Sequence, residues 1–263
     1  MKILVSNDDG IHAKGLWALA RGLTEVGEVV MVAPDREQSG VGPSVTLHHP
    51  LRVNRVEPSV DGIETFSVEG TPADSIILAL RTLVKDEVEL MVSGINEGTN
   101  LGSDVLISGT LGAAIQGYLN GIPALAVSVA ALKDIHLEAA VKLTVLLADK
   151  IRSGALPREI FLNINLPNLP LDKIEGIEVT RLAWKTYTDL LQEGHDGKRE
   201  YYWIVRQKST ENMDEGTDIC AVEKGRISIT PLPLLSPLTS SSLRPILEDL
   251  CPALFRQLRL SNK

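Results

Sequence analysis

Short apolar runs alternate with segments of helical periodicity through the first 166 residues of this chain. Strands are predicted at 3–5, 29–33, 90–93, 124–129 and 161–165, and helices at 14–26, 72–84, 109–119 and 136–153. Strands that alternate with helices are joined by right-handed crossovers, which place helices on both faces of a parallel sheet. The pattern therefore predicts an α/β fold with a doubly wound, mostly parallel sheet. The length of 263 residues suits one large domain or a domain with an appendage.

The character of the sequence changes after residue 167, where prolines, charges and aromatic residues become more frequent. We interpret 1–167 as the α/β core and 168–263 as a C-terminal extension made of a β-hairpin and a helix. Within it, 199–205 and 226–230 are predicted to be antiparallel strands, and 242–260 an amphipathic helix with leucines on one face. Because the extension has little core of its own, we expect it to dock on the core and on a partner subunit.

Charge and cysteine usage exclude several classes of partner. The net charge is −8 and no basic stripe is present, which argues against a nucleic-acid duplex as partner. Cys220 and Cys251 are too few for a disulfide framework and suit a reducing compartment. We find neither a signal-peptide pattern nor an apolar run of bilayer length. We therefore expect a cytoplasmic protein that makes no use of a membrane.

Two adjacent carboxylates, Asp8 and Asp9, follow the first predicted strand. The carboxyl end of such a strand faces the ligand crevice of a doubly wound sheet. Like charges there repel each other and lose hydration unless a cation neutralises them, which favours a hard metal ion bound through oxygen. A solvated turn is the alternative, because Asn, Asp and Gly are also common turn residues. The pair alone leaves both interpretations open.

Three more polar segments, at 35–42, 93–102 and 108–110, are expected at the same crevice. The second carries three glycines and two asparagines, which permit close approach of the main chain and supply neutral oxygens. The third opens a helix rich in small residues, so it is either an anion site at the positive helix end or an ordinary N-cap. Next to a metal site, a phosphate becomes the favoured occupant.

Several ordered motifs make the chain resemble the SurE family of metal-dependent 5'-nucleotidases, the stationary-phase survival proteins. The resemblance covers nearly the whole length. Its motifs are SNDDG at 6–10, APD at 33–35 with SG at 39–40, GTPAD at 70–74, SGINEGTNLG at 93–102, DV at 104–105, SGT at 108–110, NINLP at 163–167 and GTD at 216–218. It implies a Rossmann-like core and homodimers or homotetramers that exchange C-terminal elements.

The resemblance also implies a site and an activity. Asp8, Asp9, Ser39 and Asn96 would hold one divalent ion per subunit, Mg²⁺ or Mn²⁺. A phosphate would be held by Asn96 together with the helix-opening loop, Ser108, Gly109 and Thr110. The activity implied is hydrolysis of nucleoside 5'-monophosphates to nucleoside and phosphate by metal-activated water, with 3'-nucleotides and polyphosphate as further substrates. Asp8 and Asp9 are both candidates for moving a proton, and a non-catalytic regulator that binds metal and nucleotide is the alternative function.

Overall fold

A nine-stranded sheet forms the centre of the protein in the computed structural model, which describes residues 1–131, 133–184, 187–208, 214–232 and 240–260. Its strand order is β3-β4-β2-β1-β5-β6-β7-β11-β8, and β9 and β10 form a separate hairpin. The strands are β1 (Lys2–Ser6), β2 (Glu28–Pro34), β3 (Val53–Arg55), β4 (Glu64–Val68), β5 (Leu90–Glu97), β6 (Ala124–Val129), β7 (Phe161–Leu166), β8 (Gly176–Val179), β9 (Tyr187–His195), β10 (Glu200–Lys208) and β11 (Arg226–Pro231).

Helices cover both faces of this sheet. They are α1 (Lys14–Leu23), α2 (Pro72–Leu78), α3 (Gly109–Leu119), α4 (Glu138–Arg152), α5 (Asp218–Glu223) and α6 (Ser240–Leu260), with a π-helical turn at Ala79–Leu83 and 3₁₀ turns at Gly102–Leu106 and Leu171–Lys173. None of the helices described is both long enough and apolar enough to cross a membrane.

The six strands from β4 to β7 in the sheet order pair in parallel, which confirms the predicted mostly parallel α/β fold. β1 lies between β2 and β5, and its alternate residues serve two separate cores. Ile3 and Val5 pack in the core that includes α1 and α4, whereas Leu4 packs in the core that includes α2 and α3. Burial on both faces explains why β1 is an unbroken apolar run instead of an alternating one.

The structure departs from the sequence prediction along β5, which continues to Glu97 instead of ending at residue 93. The register with β6 shifts between Ser93 and Asn96, so the glycine-rich segment is absorbed into the strand as an irregularity. Gly94 has φ +140°, and a Cβ on it would lie 2.4 Å from the carbonyl oxygen of Val127. Only glycine suits this position. Because β5 continues to Glu97, Asn96 lies within the strand and not in a loop after it.

The C-terminal region also differs from the prediction. The stretch 226–230, which we expected in an antiparallel extension, is β11 and joins the main sheet between β7 and β8. The sheet therefore extends beyond residue 167, and the antiparallel extension consists of the β9–β10 hairpin. Helix α6 buries Leu243, Leu247 and Leu254 in the core shared with α4, so it packs on its own chain. Its use in oligomerisation stays a prediction.

Helix α3 approaches the sheet closely, and this contact can be tested by adding one methyl group. A Cβ on Gly117 would lie 2.6 Å from the Cβ of buried Met91. We expect Gly117→Ala to lower the free energy of unfolding by about 1–3 kcal/mol, because overpacking outweighs the gain in helix propensity. Gly176→Ala is the matched control, since nothing lies within 4 Å of its Cβ position. Urea unfolding measures both; equal stability of the two variants would contradict the contact.

Candidate functional site

The carboxyl ends of neighbouring strands and the start of α3 converge on the acidic pair. The main-chain oxygen of Asp8 accepts a hydrogen bond from the N–H of Gln38 at 2.7 Å. The Oδ1 atom of Asp8 accepts one from the Thr110 hydroxyl at 2.5 Å. Asp9 accepts a longer one, of 3.3 Å, from the N–H of Glu97. The polar segments expected at one crevice therefore do meet there.

The turn that presents the two carboxylates is fixed by its own residues. The amide of Asn7 donates to the carbonyl oxygen of Gly10 at 3.1 Å and accepts from its N–H at 3.2 Å. Gly10 has φ +97°, and a Cβ there would lie 3.0 Å from the main-chain carbon of Arg36. Asn7 is fully buried. The asparagine and the glycine are thus needed to shape the loop, while Asp8 and Asp9 point to other partners.

Burial makes the two carboxylates costly to ionise. Asp8 is only 4% exposed, and burial raises its pKa, although the Thr110 hydroxyl acts in the opposite direction. Burial, followed by the negative charge of Asp8, raises the pKa of Asp9 to about 7. Glu37 and Glu97 add further negative charge near Asp9. A cation at this position would offset the repulsion.

A cation at this position would need neutral oxygens in addition to the two carboxylates. In the described parts of the chain no three His, Cys, Asp or Glu side chains converge as a metal cluster, so other ligand types are required. Asn96 is 9% exposed and donates its amide N–H to Gly98 at 2.9 Å, which leaves its Oδ1 as the acceptor. Ser39 lies on an exposed loop and donates to Glu37 at 2.9 Å, which leaves lone pairs on its oxygen. Oxygen donors of this kind suit a hard divalent cation.

The start of α3 lies directly against Asp8. Ser108 is the N-cap, and its hydroxyl oxygen accepts from the N–H of Leu111 at 3.2 Å. A Cβ on Gly109 would lie 2.7 Å from the Cβ of Asp8, so glycine permits this close approach. We expected both hydroxyls of this loop to face a phosphate, but the proton of fully buried Thr110 is donated to Asp8. An anion here would meet main-chain N–H groups and the Ser108 hydroxyl instead.

A group of buried polar residues behind Thr110 was not predicted from the sequence. The amide of Asn100 donates to Ser128 at 2.8 Å and to Thr110 at 3.4 Å. Asn163 and Asn165 both donate to the carbonyl oxygen of Asn100, at 2.8 and 3.1 Å. Polar side chains inside the otherwise apolar strand β7 were the available signal, but their partner lies 63 and 65 residues away in the chain.

Two aspartates of the family motifs, Asp74 and Asp218, have structural roles. Asp74 forms a capping box with Thr71 at the start of α2 and accepts from the N–H of Thr46 at 2.8 Å. Asp218 is fully buried and accepts from the N–H of Gly102 at 2.7 Å. Both carboxylates therefore hold loop main chain in place.

Comparison with known proteins identifies the relatives of this chain. The family model described as survival protein SurE matches residues 3–189. The chain belongs to the SurE family. The 5'-nucleotidase SurE of Dehalococcoides mccartyi strain 195 is 53% identical over 234 residues, which is 88% of each protein. The 5'-nucleotidase SurE of Aeromonas hydrophila subsp. hydrophila is 45% identical over 88% of this chain and 92% of its own. The crystal structure of SurE from Aquifex aeolicus has a TM-score of 0.77 and 36% identity, covering 95% of this chain and 99% of that one.

The raised pKa of Asp9 predicts how stability depends on pH in this SurE protein after metal is removed by chelation. The folded state keeps the Asp9 proton up to about pH 7, whereas the ordinary pKa is 3.8. Between pH 3.8 and about pH 7 the folded state therefore binds more protons than the unfolded state. The contribution of Asp9 to stability falls as the pH rises through this window. We expect Asp9→Asn to gain in unfolding temperature relative to the native protein as the pH rises through that window.

The control for this experiment is Asp172→Asn, because the Asp172 side chain is 71% exposed and lies outside the site. Its unfolding temperature should follow the native protein at every pH. Saturating Mg²⁺ should reduce the advantage of Asp9→Asn, since the cation takes over the role of the proton. A constant difference between the native protein and Asp9→Asn across the window would refute the assignment.

Proposed function

We propose that this protein is a metal-dependent 5'-nucleotidase that hydrolyses nucleoside 5'-monophosphates to nucleoside and phosphate. The observation that carries the proposal is the Asp8–Asp9 pair at the end of a central parallel strand, with Asp8 buried against the N-terminus of α3 and Asp9 half-buried. Relatives that share 53% and 45% identity over 88% of the chain carry the name 5'-nucleotidase SurE. Metal and phosphate sites side by side suit a phosphoric monoester hydrolase.

The metal ligands in this proposal are Asp8, Asp9, Ser39 and Asn96, which would hold one Mg²⁺ or Mn²⁺ per subunit. All four offer hard oxygens, and two of them carry the charge that a divalent cation balances. When bound, the ion supplies positive charge to a phosphate oxygen and makes a water molecule more acidic. Asp8 and Asp9 lie in the turn after β1, Ser39 lies in the loop after β2, and Asn96 lies near the irregular end of β5.

The remaining residues bind and orient the substrate. Ser108 and Gly109 present a hydroxyl and a helix N-terminus to the phosphate, and the N–H of Asn96 not used by Gly98 is a further donor. Asp8 is held by the Thr110 hydroxyl, whereas Asp9 accepts only the long bond from Glu97 among the described residues. We therefore assign proton transfer to Asp9 in preference to Asp8.

Phosphate release from a panel of substrates tests the function. The panel contains 5'-nucleotides, 3'-nucleotides and polyphosphate, each offered after chelation and again with Mg²⁺ or Mn²⁺ restored. We expect release from 5'-monophosphates only with metal, and the other two classes define the wider substrate range. Metal and nucleotide binding without any phosphate release would favour the regulatory protein and refute the enzyme.

Replacing Asp8 tests the site itself. Asp8→Asn keeps the shape of the side chain but removes charge from the ligand set, so we expect kcat to fall by roughly two orders of magnitude or more. The variant should remain folded, because the amide can still accept from Thr110. The matched control, Asp172→Asn, should retain native activity. Near-native hydrolysis by folded Asp8→Asn would refute the assignment.

The β9–β10 hairpin supports association into homodimers or homotetramers. It forms a two-stranded sheet of its own and exposes large apolar side chains. Trp203 is 66% exposed, and the paired residues Ile204 and Leu191 are 70% and 67% exposed. An isolated two-stranded hairpin is marginally stable in water, and an apolar patch of this kind is typical of an interface. We assign this surface to contacts between copies of the chain.

A charge on the hairpin should disrupt that contact. We expect Ile204→Asp to lower the molar mass measured by light scattering after size exclusion, because an aspartate loses hydration in an apolar interface. Leu119→Asp is the control, since Leu119 is also exposed, at 52%, but ends α3. An unchanged mass for Ile204→Asp, or the same mass loss in both variants, would argue against the hairpin as the interface.

The two cysteines are compatible with a reducing compartment of the cell. Cys220 and Cys251 are both buried free thiols. The pKa of Cys251 is raised to about 12 by burial, so its thiol stays protonated and unreactive at neutral pH. A reducing cytoplasm fits such residues, and cytoplasmic location stays a prediction.

A further inference from the structure

We propose that Asn165 is a positioning residue for the Asp8 carboxylate and acts on it through Asn100 and Thr110. The inference rests on the proposed function, since it concerns the same site. Asn165 lies on β7, two strands away from β5, and is fully buried. It reaches Asp8 only through the two intervening residues, so it is no ligand itself.

The first step of this connection fixes the main chain of Asn100. The Oδ1 atom of Asn165 accepts from the N–H of Asn100 at 2.9 Å, and its amide donates to the carbonyl oxygen of Asn100 at 3.1 Å. One side chain thus satisfies both main-chain groups of residue 100, as a neighbouring strand would. Asn163 adds a second donor to the same carbonyl oxygen, at 2.8 Å. Asn100 therefore has little freedom to move.

The second step fixes the direction of the Thr110 hydroxyl. The amide of Asn100 donates to the hydroxyl oxygen of Thr110, and a further bond to Ser128 holds that amide in place. A hydroxyl has one proton to give, and an incoming donor occupies one of its lone pairs. The proton of Thr110 must then point elsewhere, and it is donated to Oδ1 of Asp8 at 2.5 Å.

The third step concerns the carboxylate. With Oδ1 of Asp8 bonded to Thr110, rotation of the carboxylate is restricted. The start of α3 also lies close to the other oxygen, since a Cβ on Gly109 would be 3.0 Å from Oδ2. Residues that orient a metal ligand in this way change metal affinity and turnover without touching the metal.

A double-mutant cycle tests the connection. Asn165→Leu removes both bonds to Asn100 at similar volume, and Thr110→Val removes the hydroxyl at similar shape. Each should lower kcat and Mn²⁺ affinity, measured by electron paramagnetic resonance, roughly 10- to 100-fold. If Asn165 acts through Thr110, the double variant should be no worse than Thr110→Val alone. Thr110→Ser, which restores the hydroxyl, should recover most of the loss.

Thr65→Ala is the control for a purely structural effect. Thr65 is also buried and donates to the carbonyl oxygen of Ile63 at 3.1 Å, and four strands of the sheet lie between its strand, β4, and β7. It should lower the unfolding temperature and leave kcat and Mn²⁺ affinity unchanged. If Asn165→Leu does not fold, Asn163→Ala, which removes one bond to Asn100, replaces it in the cycle with a smaller expected loss.

The outcomes separate this inference from the proposed function. Native kcat and native Mn²⁺ affinity in a folded Asn165→Leu, or losses that multiply in the double variant, would overturn the connection. A native protein that binds Mn²⁺ but hydrolyses no phosphate ester would overturn the nucleotidase. In that case Mn²⁺ affinity across the cycle still decides whether Asn165 positions Asp8.

Discussion

The repulsion between two adjacent carboxylates, one buried and one half-buried, is the constraint on which the rest of this structure depends. Asp8 and Asp9 lie at the end of the central strand β1, where Asp8 is 4% exposed and Asp9 is half-buried. Burial together with the neighbouring charge raises the pKa of Asp9 to about 7. The Thr110 hydroxyl donates to Asp8 and the N–H of Glu97 donates to Asp9, and a divalent cation would supply the positive charge that these donors lack. Such a pair adds nothing to fold stability by itself, which is why it points to chemistry.

Close packing of small residues brings those donors into range. Gly109 lets the first turn of α3 lie against Asp8, and Gly117 lets the other end of the same helix lie against Met91. The helix is thereby fixed at both ends relative to the sheet. Its N-terminus and the Thr110 hydroxyl reach the site as one rigid element, so the local sequence of α3 determines both core packing and site geometry.

The sequence alone predicts the parts of this molecule that depend on local patterns. Apolar runs of four or more residues identified β2 and β6, and the acidic pair stood out because Asp8 and Asp9 are adjacent at a strand end. Local patterns do not predict which distant segments pair with each other. β11 joins the main sheet because β7 and β8 offer it partners, and no local signal distinguishes it from a hairpin strand. Likewise, Ser39 and Asn96 were identified as candidate metal ligands only through the family resemblance. The role of Asn165 was not predicted, because it depends on hydrogen bonds to Asn100, which is distant in the sequence.

The proposed ligand set is complete within one chain, which limits what association can contribute. Asp8, Asp9, Ser39 and Asn96 all belong to segments near the carboxyl ends of β1, β2 and β5. The exposed hairpin residues are borne by a separate two-stranded sheet that shares no strand pairing with these segments. Self-association through the hairpin is therefore not needed to build the metal site. Its contribution would lie in covering apolar surface, so metal affinity and oligomeric state should vary independently.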